Sequence, residues 1–389
     1  MRLWSVFRKT MREIGRDRWM LGLTLAFAPL FIYLYWLWFQ GGSTVYPIAI
    51  INLDQGVELS DGSRYNAGEE VASAIRALTY ADGRPLLKVV SVPDQAAAES
   101  LLRDRGATAF IEIPVDFSQT LEQMRAGDRS VTTAIAFGGD LSNTYYMVGA
   151  NLAIGTVGAY VQQATGQTPL VNYVERPMGA SATRTEFETY VPGTLIFSVI
   201  MIIFLAAMTV AREIETGALR RLQLTPMTSF DLLGGVTLAL VLVCTVSCLL
   251  SFATALALGF HSQGPVWIAV LISVFSSLSV IGMGLVVASL TRSVSQAFVV
   301  ANFPLGLMMF FSGVIFPMPA VKLFTIAGHA VSPYDFLPPT HAVVALNKIL
   351  TLGASLGDVA YELIALLLLS VLYFLVGAWL FKRMHLRSA

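Results

Sequence analysis

The sequence predicts an α-helical polytopic membrane protein with six transmembrane helices and an inserted extracytoplasmic α/β domain. Three observations lead there. Hydrophobic residues make up 55% of the chain and charged ones 13%, with a mean hydropathy of +0.67. A water-soluble domain of 389 residues could not carry that balance without aggregating. Six apolar runs are each long enough, at about 1.5 Å per residue, to cross about 30 Å of hydrocarbon. Between the first two runs the pattern changes to short alternating and amphipathic segments over residues 41–188.

Residues 1–19 predict a cytoplasmic amphipathic helix, with Leu3, Phe7, Met11 and Ile14 near one face and Arg8, Lys9, Arg12 and Arg16 largely elsewhere. Such a helix lies in the inner headgroup plane, as an anchor or as a mechanical link to the cytoplasmic loop between the second and third spans. The first span, residues 20–39, is too long for the apolar core of a signal peptide, and Gly41-Gly42-Ser43 is a poor cleavage site, so it reads as an uncleaved anchor. The remaining spans are 190–211, 232–260, 266–290, 297–316 and 359–381, with a tail at 382–389. Arg2, Arg8, Lys9, Arg12, Arg16 and Arg18 precede the first span, Arg212, Arg220 and Arg221 follow the second, and Lys382, Arg383 and Arg387 close the chain. Short segments on the other side carry only Lys322 and Lys348. The bias puts both termini and the loop at 212–231 in the cytoplasm and residues 41–188 outside.

Within the outer segment, strands are predicted at 45–52, 87–92, 107–113, 131–137 and 170–174, and helices at 68–80, 94–105, 117–126 and 142–165. Ten basic against seventeen acidic residues argue against nucleic acid and against a polybasic lipid-binding surface there. No cysteine lies in the segment, so its own core must hold it. The chain's two cysteines, Cys244 and Cys248, sit one turn apart in the third span and read as packing residues. Residues 317–358 hold five prolines in an apolar context and predict two outer re-entrant helices, at 321–330 and 340–352.

Catalytic chemistry has no foothold. The four histidines are scattered without ligand spacing, neither HExxH nor GxSxG occurs, and no glycine precedes a lysine, which excludes a Walker A loop. The interiors of the first five spans hold no Asp, Glu, His, Lys or Arg. Asp358 and Glu362 fall at the outer end of the sixth, within reach of water, so ion-coupled transport is disfavoured and energy should come from another protein.

The loop after the second span reads Glu213-Ile-Glu215-Thr-Gly217-Ala-Leu219-Arg220-Arg221-Leu222-Gln-Leu-Thr225-Pro226. It resembles the loop of type-2 class ATP-binding-cassette exporter permeases, E-x-E-x-G-T-L-E-x-L-x-x-T-P, matching at Glu213, Glu215, Gly217, Leu219, Leu222, Thr225 and Pro226 and departing at Ala218 and Arg220. The outer segment opens with Ile51-Asn52-Leu53-Asp54-Gln55-Gly56, as in the subgroup with a large domain between spans one and two. The resemblance implies a non-enzymatic membrane subunit that exports cargo, pairs with a second permease, and takes its energy from ATP and Mg bound on an ABC ATPase subunit, with no cofactor of its own. It also makes 212–231 a coupling loop. On physical grounds Leu219 and Leu222 offer an apolar side to a groove of the ATPase, Gly217 allows close approach, and Pro226 ends the helix.

For a translocation path the candidates are Phe197 in the second span and Asn302, Phe303 and Phe310 in the fifth, an apolar and adaptable set suited to a hydrophobic or amphipathic compound. Serines 273, 276, 277 and 279 with Gly282 and Gly284 give the fourth span a small-residue face for helix packing. A non-transporting envelope receptor of the phage-infection type and an ion-coupled carrier are the competing readings, and the expected location is the bacterial cytoplasmic membrane.

Overall fold

A computed structural model describes residues 2–38, 44–59, 62–80, 83–104, 106–128, 130–139, 144–166, 185–219, 227–315, 318, 321–326 and 328–386. Contacts divide the chain into two compact units, Met1–Gly42 with Pro177–Ala389, and Ser43–Arg176.

The chain opens with α1 (Arg2–Arg16) and α2 (Arg18–Trp38). Trp19 and Trp38, 84% and 82% exposed, stand at the two ends of α2, about 28 Å apart at helical rise. That separation matches the two interfacial levels where tryptophan settles in a bilayer.

The second unit follows: β1 (Tyr46–Asn52), β2 (Val57–Glu58), β3 (Arg64–Tyr65), α3 (Ala67–Arg76), β4 (Leu87–Val92), α4 (Gln95–Arg103), β5 (Ala109–Ile113), α5 (Phe117–Arg125), β6 (Ala136–Gly139) and α6 (Thr144–Thr165). Four strands form one sheet in the order β4-β1-β5-β6, parallel except for β6. The central strand β1 is apolar on both faces because both are covered. Ile48 and Ile50 pack with Val71, Ile75 and Phe117 on one side, and Ala49 and Ile51 with Ala98 on the other. Asp54 is consumed by this architecture. Its buried carboxylate accepts from the backbone N–H groups of Gly68 (3.0 Å) and Ser118 (3.1 Å) and from the Ser118 hydroxyl (2.5 Å), so one side chain holds the starts of α3 and α5. The fourth strand lies at 136–139 rather than 131–137, and the strand read at 170–174 falls outside the described residues.

The first unit resumes with α7 (Glu186–Ile200) and α8 (Ile202–Glu215), which meet at Met201 and run as one span of 30 residues. Then come α9 (Ser229–Ala257), α10 (Val266–Ser289), α11 (Val294–Phe311), α12 (Pro338–Leu352) and α13 (Ala360–Phe381). Six helices among the described residues have the length and apolarity to cross a membrane. The small-residue face of α10 packs on α13: the hydroxyls of Ser279 and Ser370 meet at 2.7 Å, and Ser289 donates to the Gly377 carbonyl at 3.1 Å.

Three expectations change. Where a helix was predicted at 321–330, a hairpin forms from β7 (Phe324–Ile326) and β8 (His329–Val331), because Thr325, Ile326 and Val331 favour extended backbone and Gly328, at φ +84°, takes the left-handed backbone that leads into β8. Glu362 is not in water: it is 4% exposed, and its Oε1 accepts from Lys348 Nζ at 2.6 Å across α12 and α13. And α1 spends part of its apolar side on the unit's own helices. Val6, Thr10 and Ile14 are buried, and Leu3 and Val6 press against Gly234 and Gly235 of α9.

Candidate functional site

Two places in the first unit gather the residues singled out by the sequence: the start of the loop after α8, and a cavity bordered by α2, α7 and the end of α11.

At the loop, Glu213 and Glu215 stand two residues apart on α8, which at about 100° per residue sends their side chains to opposite sides of the helix. Glu213 turns toward α1. Its Oε1 accepts from Lys9 Nζ at 2.5 Å, while Lys9 also lies 3.7 Å from Glu13. The Glu213 carboxylate is buried, and its Oε2 has no partner among the described residues, so Lys9 alone balances a charge held away from water. Glu215 turns toward α11. Its Oε2 accepts from the Val294 N–H at 2.7 Å, placing a carboxylate on the helix N-terminus where backbone donors point outward, next to the Ser293 cap. The first turn of the loop is thereby pinned to the N-terminal helix and to the fifth span.

Gly217 ends α8. Its φ is +67°, its N–H donates to the Ile214 carbonyl at 3.2 Å, and a β-carbon there would meet nothing within 4 Å among the described residues. The glycine is required by backbone handedness and not, within this chain, by close approach. Leu219, 7% exposed, belongs to the unit's own apolar core and is not presented outward. Arg220, Leu222, Thr225 and Pro226 lie outside the described residues. Lys9 and the α11 N-terminus are partners that sequence reasoning missed. The E-x-E spacing was the available signal, since it cannot serve one surface.

The cavity holds about 570 Å³ and is lined by Phe31, Tyr35 and Trp38 of α2, Tyr190 and Phe197 of α7, and Met309 of α11, with no charged residue among its described walls. Phe197 is set by aromatic contacts, its ring centroid 5.4 Å from Phe31 and 5.9 Å from Phe27. Tyr35 and Tyr190 stack at 5.8 Å. Of the four path candidates only Phe197 is on this wall. Phe303 is 74% exposed and borders a separate groove with Tyr373 and Met283, Phe310 is 48% exposed, and the Asn302 amide donates to its own helix at the Phe298 carbonyl, 2.8 Å away. Cys244 and Cys248 are buried free thiols, and no group of three potential metal ligands occurs among the described residues.

Comparison with known proteins places the sequence. Residues 18–379 match the family described as ABC-2 family transporter protein. The chain belongs to the ABC-2 transporter family. The probable multidrug ABC transporter permease YbhS of Escherichia coli K12 is 25% identical over 396 residues, covering 96% of this chain and 94% of its own length. A second relative, the probable multidrug ABC transporter permease YbhR of the same strain, is 25% identical over 236 residues, covering 60% of this chain and 58% of its own. This ABC-2 membrane subunit is a multi-pass protein, and membership in the family implies an ATPase partner.

Proposed function

We propose that this ABC-2 chain is the permease subunit of an exporter that moves a hydrophobic or amphipathic compound outward across the bacterial cytoplasmic membrane. It carries out no covalent chemistry: ATP and Mg bind an ABC ATPase subunit, and a second permease, identical or homologous, completes the complex. Both termini and the loop at 212–231 face the cytoplasm, and the unit Ser43–Arg176 lies outside.

One observation carries the reading. A single helix, α11, has its N-terminus held by Glu215 of the loop and its far end at Met309 on the wall of the aromatic cavity. A push on the loop is then passed along α11 toward the cavity wall, with Pro304, which interrupts the backbone ladder between the two ends, as the point where the helix can flex. The uncharged lining selects cargo by apolar surface and aromatic stacking, and the names of YbhS and YbhR, multidrug permeases, agree with such breadth. An ion-coupled carrier would need a carboxylate open to the path, and Glu362, the most buried glutamate among the described residues, is held against Lys348.

The test separates binding from coupling. With the ATPase co-expressed, Phe197→Ala should reduce efflux of a lipophilic dye several-fold with basal ATP hydrolysis unchanged. Glu215→Ala should leave the complex assembled yet lower dye-stimulated hydrolysis, since it removes a charged cap of about 0.5–2 kcal/mol from α11. Parental efflux in both variants would refute the reading.

A further inference from the structure

Docking of α1 on α9 leaves the opposite side of α1 with a pattern of its own. At about 100° per residue, Arg8, Arg12 and Arg16 fall on one ridge, roughly 6 Å apart and facing away from the buried Val6, Thr10 and Ile14. All three are exposed, and among the described residues no carboxylate pairs with them. The acidic residues of this stretch are turned elsewhere: Glu13 and Asp17 border a small pocket against Thr209, Arg212 and Glu213 of α8. Between the ridge and the docked face runs an apolar strip of Trp4 and Phe7, continued by Met11, which packs partly against the unit's core. Trp4 is 48% exposed, stacks on Phe7 at 4.6 Å, and lies 5.4 Å beneath the Arg8 guanidinium.

We propose that the Arg8–Arg12–Arg16 ridge binds the headgroups of anionic phospholipids. Guanidinium groups match phosphate oxygens in a two-pronged geometry that a point charge lacks. A row of three without counter-charge favours headgroups with a net negative charge over zwitterionic ones. The neighbouring strip decides between a lipid and an acidic protein surface: an aromatic edge beside arginines suits the boundary where acyl chains give way to phosphates. This lipid contact follows from the geometry of α1 alone and is independent of cargo and of ATP coupling.

The experiment uses the full-length protein in nanodiscs of zwitterionic phosphatidylcholine containing increasing brominated phosphatidylglycerol or brominated phosphatidylcholine. Quenching assigned to Trp4, as the difference between the parental protein and its Trp4→Phe variant, reports lipid at the strip. Parental protein should half-saturate at a roughly tenfold lower fraction of the anionic lipid, a preference that shrinks as salt rises. Replacing Arg8, Arg12 and Arg16 together with Gln should abolish the preference with the melting transition unchanged, and replacing them with Lys should retain most of it. Equal quenching by both lipids in the parental protein would overturn the proposal. So would a preference that survives the Gln variant while its ATPase subunit no longer co-purifies, which would assign the ridge to the protein partner.

Discussion

Gly217 separates two explanations for one motif spacing that lead to opposite experiments. Held at φ +67° with open space around it among the described residues, it costs an L-residue backbone strain. Valine there should lose about 1–2 kcal/mol and fray the end of α8, whereas asparagine, which tolerates the left-handed region, should stay near parental in melting temperature and export. Equal damage from both would mean that bulk matters, and that a partner closes on this position. The loop motif was visible in the sequence, but the duties inside it were not. Spacing alone does not tell a glutamate that faces an ATPase from one that faces Lys9, because Lys9 lies 204 positions away.

At the scale of elements, the span boundaries were legible because lipid imposes a length and an apolarity that few other demands imitate. What stayed hidden was rotation. A helix such as α11 is apolar all round, so nothing in its sequence says that Met309 turns to the cavity while neighbouring Phe310 turns away. The same limit hid the docking of α1, whose apolar stripe suits a bilayer and a protein groove equally. The groove declares itself through Gly235, where a β-carbon would come within 2.6 Å of Val6 Cβ and 2.8 Å of the Leu3 carbonyl. Gly235→Val should therefore cost about 1–3 kcal/mol of overpacking and lift α1 from α9. Limited trypsin digestion should then cut at Arg8 and Arg12 well before the parental protein is cut there, and equal rates would mean that α1 is held elsewhere.

The whole molecule divides into a lipid-adapted unit and a unit built around a covered sheet, and the sequence drew that division through a change of period from continuous apolar runs to alternation. Orientation has a direct assay. Cysteines introduced at the exposed Ser63 and Ser130 should react with an impermeant thiol reagent on intact cells, while one at the exposed Thr216 should react only after permeabilisation, the native thiols being buried. Labelling of Thr216 from outside would invert the topology and remove the basis for ATP coupling. The contact between α1 and the later helices also sets an order of events during synthesis. Lys9 leaves the ribosome 204 residues before Glu213, an interval of roughly 10–40 s at ordinary elongation rates. Throughout that time the newborn helix has no groove to enter, and its stripe must wait on the membrane surface. The arginine ridge is then a waiting berth as well as a finished contact, and the first helix made finds its place only after the third span has followed it.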